Sequence, residues 1–317
     1  MTRPTLSLLI PAYNAARFLP RLLSSAKSQT EPFDEIWVYD DCSTDDTGEV
    51  AKAWGARVIR GDVNVGCSAG KNALAARAKT DWLHFHDADD SLLPNFGALA
   101  HKWIARDTHD VVLFAYSRRE DQTDEDIGIV RFDRLALETD ARAYAIRQLI
   151  NPFCGLYRRD AFVEAGGYDE DPLVLYNEDA AFHIRLAFAG LRFSAEEEIS
   201  IVNYRVAQSM SSSNMKRCAI SQYHVMRKTL DREGSRLYSR EIAERLWGVS
   251  GLLGSVDAWS EAEEAARLAI SLHPPSASSG SFWFRALASI NPPLALRARE
   301  TAIRTLKPHL RLDATKS

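Results

Sequence analysis

Three carboxylates crowd the tetrapeptide Asp87-Ala88-Asp89-Asp90, which directly follows the apolar run 82–86. Like charges at the end of a buried strand repel one another and lose hydration, so a cation is needed to neutralise them. A divalent ion with hard oxygen ligands is the natural counterion. The same residues also fit a helix cap, with one of residues 89–91 as the capping side chain. The tetrapeptide alone leaves both interpretations open.

A second acidic pair lies farther along the chain, in Asn177-Glu178-Asp179. It opens a segment of helical character that ends at Gly190. Because the N-terminal end of a helix favours ionised carboxylates, a base that accepts a hydroxyl proton fits here. In isolation, both acids are equally well explained as ordinary residues of a first helical turn.

The stretch from Gly66 to Asn72 resembles a phosphate-binding loop but does not match it. Three residues rather than four separate Gly66 and Gly70, and Asn72 replaces the Ser or Thr that would hold magnesium. Lys71 still offers a positive charge to a phosphate, without the planar fork of an arginine. The alternative is the start of a helix with an exposed lysine.

The composition excludes several classes of function. A net charge of −4 argues against general nucleic-acid binding, which requires a basic surface. The four cysteines have neither metal-ligand spacing nor the density of a disulfide framework, which favours reduced thiols in a cytoplasm. The apolar run near the N-terminus is too short for a signal peptide. No uncharged stretch has the continuity of a membrane-spanning helix.

Strands and helices alternate through the first part of the chain. Apolar runs predict strands at 6–10, 35–39, 57–60, 82–86 and 110–114. Helical periodicity predicts helices at about 18–29, 43–54, 68–78 and 94–105. Ser43 has the features of an N-cap, with Asp46 in the capping-box position. Alternation at this spacing predicts βαβ units and a mostly parallel sheet.

The second part of the chain has a less regular pattern. The acidic stretch 120–126 is expected to be a solvated loop, and Gly166-Gly167 marks a tight turn. Further strands are expected at 153–157 and 199–204. From about residue 214 onward one helical segment follows another, so we predict a boundary there.

Six motifs in a fixed order make the chain resemble the family 2 glycosyltransferases, which have the nucleotide-diphospho-sugar (GT-A) fold. The motifs lie at 7–14, 40–45, 66–72, 87–90, 158–170 and 177–179. The resemblance implies an α/β three-layer sandwich with a mostly parallel central sheet. It further implies a catalytic domain at 1–213, with a nucleotide-sugar half at about 1–115 and an acceptor half at about 116–213. Residues 214–317 would form a helical appendage.

The resemblance implies a nucleotide pocket at the ends of the first strands. Asp40 or Asp41 would accept the imide proton of uracil or thymine, although turn chemistry before a helix also explains this pair. The other residues implied to contact the nucleotide sugar are Pro11, Ala12, Tyr13, Asn14, Gly66, Lys71, Asp87, Ala88 and Asp89.

The resemblance also gives the acidic clusters their roles. Asp87 and Asp89 match the family's Asp-x-Asp motif, which implies that Asp89 ligates Mn²⁺ or Mg²⁺ and that Asp87 contacts the ribose or the metal through water. Asp90 is left as the cap of the next helix. Asp179 corresponds to the base of the family, and Glu178 would orient the acceptor. A single in-line displacement would then invert the configuration of the sugar.

One feature of the family is missing. Many relatives have a His soon after a Tyr-Arg pair near the end of the catalytic domain, whereas here residues 206–211 follow Tyr204-Arg205 without a His. Either Arg205 takes over the phosphate contact, or this Ser-rich segment closes over the donor as a lid. The gap leaves a third metal ligand open. His84 and His86 lie on one face of the fourth strand and are expected to be packed or hydrogen-bonded side chains, with a metal role for His86 as the alternative.

Together these features predict an inverting, metal-dependent glycosyltransferase, with a UDP-sugar as the favoured donor. The acceptor would be a hydroxyl of a glycan or of a lipid-linked oligosaccharide. One alternative is a catalytically impaired protein that binds sugar nucleotides or acts as a scaffold. A sugar-phosphate nucleotidyltransferase is less suitable, because it needs a Gly-rich basic loop directly after the first strand, where this chain has Pro11-Ala12-Tyr13-Asn14.

The C-terminal segment 294–312 combines basic charge with apolar residues. Its charged side chains include Arg297, Arg299, Arg304, Lys307 and Arg311 against Glu300. Such a helix fits peripheral contact with an anionic membrane, at its inner face for a cytoplasmic protein. The alternative is a helix packed on the catalytic domain, or a contact in a homodimer, with its basic face in water.

Overall fold

The structure is a computed structural model that describes residues 3–206, 214–276 and 280–312 of the 317-residue chain. The chain divides into two compact units. The first consists of Met1–Ala141, Ile150–Glu170 and Arg185–Ala207, and the second of Arg142–Leu149, Asp171–Ile184 and Gln208–Ser317. Two short segments from within the predicted catalytic region, 142–149 and 171–184, therefore group with the C-terminal helices.

The strands in the described residues belong to the first unit and form one sheet. They are β1 (Leu6–Ala12), β2 (Glu35–Asp40), β3 (Arg57–Arg60), β4 (Trp82–Phe85), β5 (Ser91–Leu92), β6 (Val111–Glu120), β7 (Asp126–Val130), β8 (Gly155–Arg158) and β9 (Phe193–Arg205). Their order across the sheet is β3-β2-β1-β4-β8-β6-β9-β5, and β7 pairs with β6. The predicted α/β alternation is confirmed.

The first four strands of this order bring three loops together. β3, β2, β1 and β4 pair in parallel, with Ala12 opposite Asp40 and Leu9 opposite Phe85. The carboxyl ends of β1, β2 and β4 therefore share one edge of the sheet, where open α/β folds bind ligands. Beyond β4 the sheet is mixed, because β8 is antiparallel to β4 and β6 whereas β6 and β9 are parallel.

Helices connect these strands and continue through the second unit. In the described residues they are α1 (Leu19–Lys27), α2 (Thr47–Ala53), α3 (Cys67–Arg77), α4 (Phe96–Arg106), α5 (Arg134–Thr139), α6 (Ala141–Arg147), α7 (Arg159–Glu164), α8 (Glu178–Phe188), α9 (Met215–Leu230), α10 (Ser239–Ser255), α11 (Trp259–Leu272), α12 (Phe282–Ile290), α13 (Pro292–Leu306) and α14 (His309–Leu312). In α1 the buried side chains are Leu19, Leu22, Leu23 and Ala26. This spacing is that of a helix with one face in a core.

The predicted helix start at Ser43 is wrong. Helix α2 begins at Thr47, with Asp46 before it. The backbone N–H of Ser43 instead donates to Asp40 (2.9 Å), and the Ser43 hydroxyl accepts the N–H of Asn14 (3.0 Å). Ser43 therefore closes a loop at the sheet edge. The acidic stretch 120–126 forms the turn of the β6–β7 hairpin, in which Arg119 pairs with Asp126.

In the second unit, a carboxylate on α11 and one on α13 itself neutralise much of the basic C-terminal segment. Arg297 donates to Glu263 (2.6 Å), while Arg304 and Arg311 donate to Glu300 at 2.9 and 2.8 Å. Glu300 is only 5% exposed, so these bonds hold α13 and α14 together. Within the described ranges, every helix is too short or too polar to cross a membrane.

Candidate active site

The loop after β1 presents an aromatic ring to solvent. Tyr13 is 52% exposed, whereas Asn14 adopts a left-handed conformation with φ 49°. The Asn14 side chain accepts the N–H of Thr44 (2.8 Å), which fastens this loop to the one after β2. The end of β1, with Pro11 and Ala12, is thereby fixed, and the Tyr13 ring is available to stack on a planar ligand.

The two acids after β2 have different surroundings. Asp40 is fully buried and forms an ion pair with Arg60. Asp41 accepts the backbone N–H groups of Val65 (2.8 Å) and Gly66 (2.9 Å), and it retains slight exposure. Gly66 has φ 86° and directly precedes α3, so a glycine suits this position. Asp41 therefore fixes the loop that leads into α3.

Helix α3 carries Lys71 into the interior. At Gly70 a Cβ atom would lie 2.9 Å from Cδ1 of Tyr39, so the absence of a side chain allows α3 to approach β2 closely. Lys71 is 2% exposed, and its Nζ lies 4.9 Å from the centre of the Tyr168 ring. Because the Lys71 side chain is buried, the alternative of an exposed lysine at a helix start is wrong.

The Asp87–Asp90 segment forms a tight turn between β4 and β5, closed by a bond from Asp90 N–H to Asp87 O (3.2 Å). The predicted capping role of Asp90 is wrong, because the next helix begins at Phe96. Asp90 is fully buried and accepts two bonds from the Asn203 amide (3.1 and 3.0 Å) and one from the Tyr204 N–H (2.8 Å). It therefore anchors the turn to β9, whereas Asp87 and Asp89 are the two acids of the sequence motif.

Asp87 and Asp89 fit a divalent cation. Burial and the neighbouring Asp87 carboxylate raise the pKa of Asp89 to about 6, and Arg21 opposes this effect. A cation would relieve the repulsion, and Mn²⁺ and Mg²⁺ prefer such hard oxygen donors. In the part of the chain that the structure describes, no three His, Cys, Asp or Glu side chains form a metal site. An ion held by one or two carboxylates together with substrate phosphates needs no such group.

Arg21 belongs to this site although no motif indicates it. From α1, its guanidinium donates to the backbone carbonyl of Asp89 and to the Asp121 carboxylate (2.7 Å). It also stacks on the Tyr204 ring, 3.7 Å from the ring centre. The sequence signal is limited to a basic residue on the polar side of an amphipathic helix. Arg21 positions the turn and offsets part of its negative charge.

Asn72 is a second residue that the motifs assigned no role. Its side chain accepts the Tyr168 N–H (2.8 Å) and donates to Tyr168 O (3.1 Å) and to Glu170 (2.6 Å). Gly167, in the predicted tight turn, has φ 61°, and a Cβ there would lie 2.6 Å from Asn72 Oδ1. Asn72 thus holds the turn that carries Tyr168 over Lys71.

Glu178 and Asp179 lie in the second unit, in the first turn of α8, which begins at Glu178 as predicted. The Asn177 amide donates to Cys218 O (2.8 Å) and ties this turn to α9. Glu178 is 6% exposed and Asp179 is half-buried. Both acids lie at the N-terminal end of a helix, where the first backbone N–H groups have no partner within the helix.

Three further residues singled out in the sequence have defined surroundings. His84 and His86 are fully buried and hydrogen-bonded to each other at 3.0 Å, and burial lowers the pKa of His84 to about 4. Both are packed side chains, as expected. Arg205 ends β9 and is ion-paired with Glu120. The lid predicted at 206–211 falls almost wholly outside the described residues.

Comparison with known proteins identifies a family. The sequence profile of glycosyl transferase family 2 matches residues 7–166, which is about half of the chain. A stretch of 108 residues, 33% of this chain, is 37% identical to chondroitin synthase of Pasteurella multocida and covers 11% of that protein. The chain matches only part of the length of its curated relatives. The matched stretch covers 31% of an uncharacterized glycosyltransferase of Haemophilus influenzae, and across the curated relatives this share ranges from 11% to 69%.

Solved structures share the fold. S. aureus TarS 1–349 in complex with UDP-GlcNAc aligns with a TM-score of 0.72 at 18% identity, over 95% of this chain and 92% of that one. The mannosyltransferase PcManGT from Pyrobaculum calidifontis, in complex with GDP-Man and Mn²⁺, aligns with a TM-score of 0.60 at 19% identity, over 99% and 84%. The fold is thus the predicted GT-A fold followed by helices. Because the family profile matches about half of this chain, the chain belongs to glycosyltransferase family 2.

Proposed function

We propose that the chain is an inverting glycosyltransferase that moves a sugar from a nucleoside diphosphate, with UDP favoured, to a hydroxyl of a glycan or lipid-linked acceptor. The observation that carries this proposal is the shared sheet edge. There the loops after β1, β2 and β4 bring together an exposed aromatic ring and two acidic motifs. These groups suit the base and the diphosphate of a sugar nucleotide.

The base would stack on Tyr13, whose ring is exposed at the end of β1. Asp41 is the better candidate of the acid pair for the imide N–H, since Asp40 is fully buried and ion-paired with Arg60. Each Asp41 oxygen already accepts one backbone N–H but has a second lone pair for a ligand.

The diphosphate would lie against the turn of Asp87 and Asp89. These carboxylates would hold Mn²⁺ or Mg²⁺, which as a Lewis acid stabilises the negative charge of a departing nucleoside diphosphate. The Mn²⁺ bound with GDP-Man in PcManGT supports this choice. Lys71, on α3, would add positive charge. Arg205 would contact a phosphate only by exchanging its Glu120 partner.

Asp179 would act as the base in the second unit. Its carboxylate takes the proton from the acceptor hydroxyl while that oxygen attacks the anomeric carbon from the side opposite the nucleotide, which inverts the configuration. Glu178, nearly buried beside it, would orient the acceptor. The position of both acids in the first turn of α8 supports their working as a pair.

A polysaccharide acceptor is supported by the likeness to chondroitin synthase, which concerns 33% of this chain. Membrane contact through the basic C-terminal segment is a weaker proposal than the sequence suggested, because Arg297, Arg304 and Arg311 are ion-paired. Work at the inner face of the membrane, a cytoplasmic location and a homodimer remain proposals. Vesicle sedimentation tests the membrane contact, and light scattering tests the homodimer.

The experiment is a screen of UDP-, TDP- and GDP-sugars for slow release of the nucleotide in the presence of Mn²⁺. Asp179→Asn should abolish hydrolysis and transfer while donor binding is retained. Asp160→Asn is the matched control, because Asp160 also lies in a first helical turn but is 93% exposed. Unchanged turnover in Asp179→Asn would remove Asp179 as the base, and the absence of turnover with every donor would favour a binding or scaffold protein.

A further inference from the structure

The helical unit contains a cavity of about 550 Å³ between α10 and α13. This volume is in the range of pockets that bind small molecules. The residues that matter for its chemistry are Arg245, Trp247 and Gly248 on α10 and Arg299 on α13. None of them belongs to a motif or to the site described above.

Two guanidinium groups at this cavity have no carboxylate partner among the described residues. Arg147 and Arg311, which also line it, are ion-paired with Glu241 and Glu300 at 2.6 and 2.8 Å. Arg245, by contrast, has no hydrogen bond or ion pair with any described residue, and burial lowers its pKa. Arg299 likewise has no carboxylate partner among the described residues, and it contacts the Phe284 ring at 5.3 Å. A largely buried cation without a counterion is costly.

The carboxylates that line the cavity are paired with other arginines, Glu241 with Arg147, Glu300 with Arg311 and Glu244 with Arg240, which leaves Arg245 and Arg299 as the unpaired charges there in the described part of the chain. Trp247 is 2% exposed and its indole N–H is shielded from the cavity, so this residue only forms part of the wall. A guanidinium can only donate hydrogen bonds. The complementary ligand is therefore an acceptor, and the positive charge of Arg245 and Arg299 makes an oxyanion the best match.

The cavity has room for such a ligand and a way in. A Cβ atom added to Gly248 would meet no atom within 4 Å. Arg299 is exposed to solvent. Arg245 also lines a smaller space beside Asn177 and Ala180, which flank the acidic pair of α8. A bound anion would therefore lie within the same unit as Asp179 and toward its turn.

We propose that this cavity binds an oxyanion, a carboxylate or phosphate group, through Arg245 and Arg299. The planar fork of each guanidinium suits bidentate contact with either group. Such a group could be free phosphate or part of an acidic saccharide. Binding requires no donor sugar and no turnover, so the proposal stands apart from the transferase function.

The test is calorimetry on the full chain with two probes: inorganic phosphate, and a tetrasaccharide that alternates glucuronate with N-acetylglucosamine. Chitotetraose is the neutral control. Arg245→Gln and Arg299→Gln should each weaken binding about 10- to 100-fold, as expected for charge-assisted hydrogen bonds. Arg267→Gln, which removes an exposed arginine outside the cavity, should leave it unchanged.

A second pair of variants guards against misfolding of the arginine variants. Gly248→Leu should obstruct part of the cavity and weaken binding by about 10-fold or more, whereas Gly248→Ala should keep it, and both should fold because the position is open. Tighter binding of the tetrasaccharide would identify an acidic glycan as the ligand, and binding of phosphate alone would identify the free ion. No binding of either anion, equal binding of chitotetraose, or unchanged binding in Gly248→Leu would overturn the proposal.

Discussion

Replacing Asp89 with asparagine is expected to stabilise the metal-free protein at neutral pH while it abolishes sugar transfer. The carboxylate lies in a turn with two other acids, and burial together with the charge of Asp87 raises its pKa to about 6 from an ordinary value of 3.8. Keeping Asp89 ionised therefore costs the folded state free energy. Asparagine removes the charge and keeps the shape.

The magnitude follows from the pKa shift. A difference of about two pKa units between the folded and unfolded states corresponds to about 3 kcal/mol at pH values above the folded pKa. The amide must itself be desolvated in the turn at a cost of about 1–2 kcal/mol, so the net gain is about 1–2 kcal/mol. Sites that bind ligands often carry such a stability cost.

The sign of the pH dependence is fixed by the raised pKa. Below the ordinary value of 3.8, Asp89 is protonated in both states, and the variant should gain nothing. As the pH rises through about 6, the wild-type protein loses the stability that protonation provides, so the advantage of Asp89→Asn should grow and then stay constant. Mn²⁺ should stabilise the wild-type protein more than the variant, because binding to the folded state adds to stability.

The assay is urea denaturation in EDTA at pH 4, 5.5 and 7.5, with Asp160→Asn as the control. Asp160 is 93% exposed, so its variant should match the wild-type protein at each pH. The reasoning would be refuted if Asp89→Asn were less stable than the wild-type protein at pH 7.5. A gain in stability that did not change with pH would refute it as well.

Three further substitutions probe the supports of the site and of the helical unit by denaturation. Asn72→Ala removes the hydrogen bonds to Tyr168 and should lower the free energy of unfolding by about 1–3 kcal/mol. An unchanged free energy of unfolding would show that the turn does not depend on these bonds. Asn203→Ala removes two hydrogen bonds to the buried Asp90 carboxylate and should lower the free energy of unfolding by a similar amount. Asn95→Ala, which removes an amide near the start of α4, serves as the comparison. Burial raises the pKa of Glu300, but hydrogen bonds from Arg311 and Arg304 outweigh this effect and lower the pKa below its ordinary value of 4.5. Glu300→Gln should therefore lower the free energy of unfolding by about 1–3 kcal/mol at pH 7. The loss should shrink as the pH falls below 4.5, where Glu300 of the wild-type protein becomes protonated.

The strand ends of the site could be predicted because they depend on local pattern. Apolar runs of strand length followed by polar residues fix where β1, β2 and β4 end, and parallel pairing then brings those ends to one edge. Asp87, Asp89 and Asp41 are at that edge for this reason alone. The family resemblance supplied the roles, and the periodicity supplied the positions.

Contacts between distant parts of the chain could not be predicted. In the sequence Asp90 resembles a helix cap. Its actual partner, Asn203, lies 113 residues away, and no local pattern indicates that pairing. Lys71 resembles a surface lysine until Tyr168 covers it. The basic C-terminal segment suggests a membrane surface, yet the carboxylate of Glu263 comes from another helix to meet Arg297.

The central claim is that the turn of Asp87 and Asp89 binds the diphosphate of a sugar nucleotide through a divalent cation. Calorimetric titration of UDP into the wild-type protein and Asp89→Ala, with Mn²⁺ and with EDTA, tests it directly. We predict binding to the wild-type protein in Mn²⁺ that weakens at least about 10-fold in EDTA and in the variant. Binding of UDP that is independent of metal and survives in Asp89→Ala would contradict the claim.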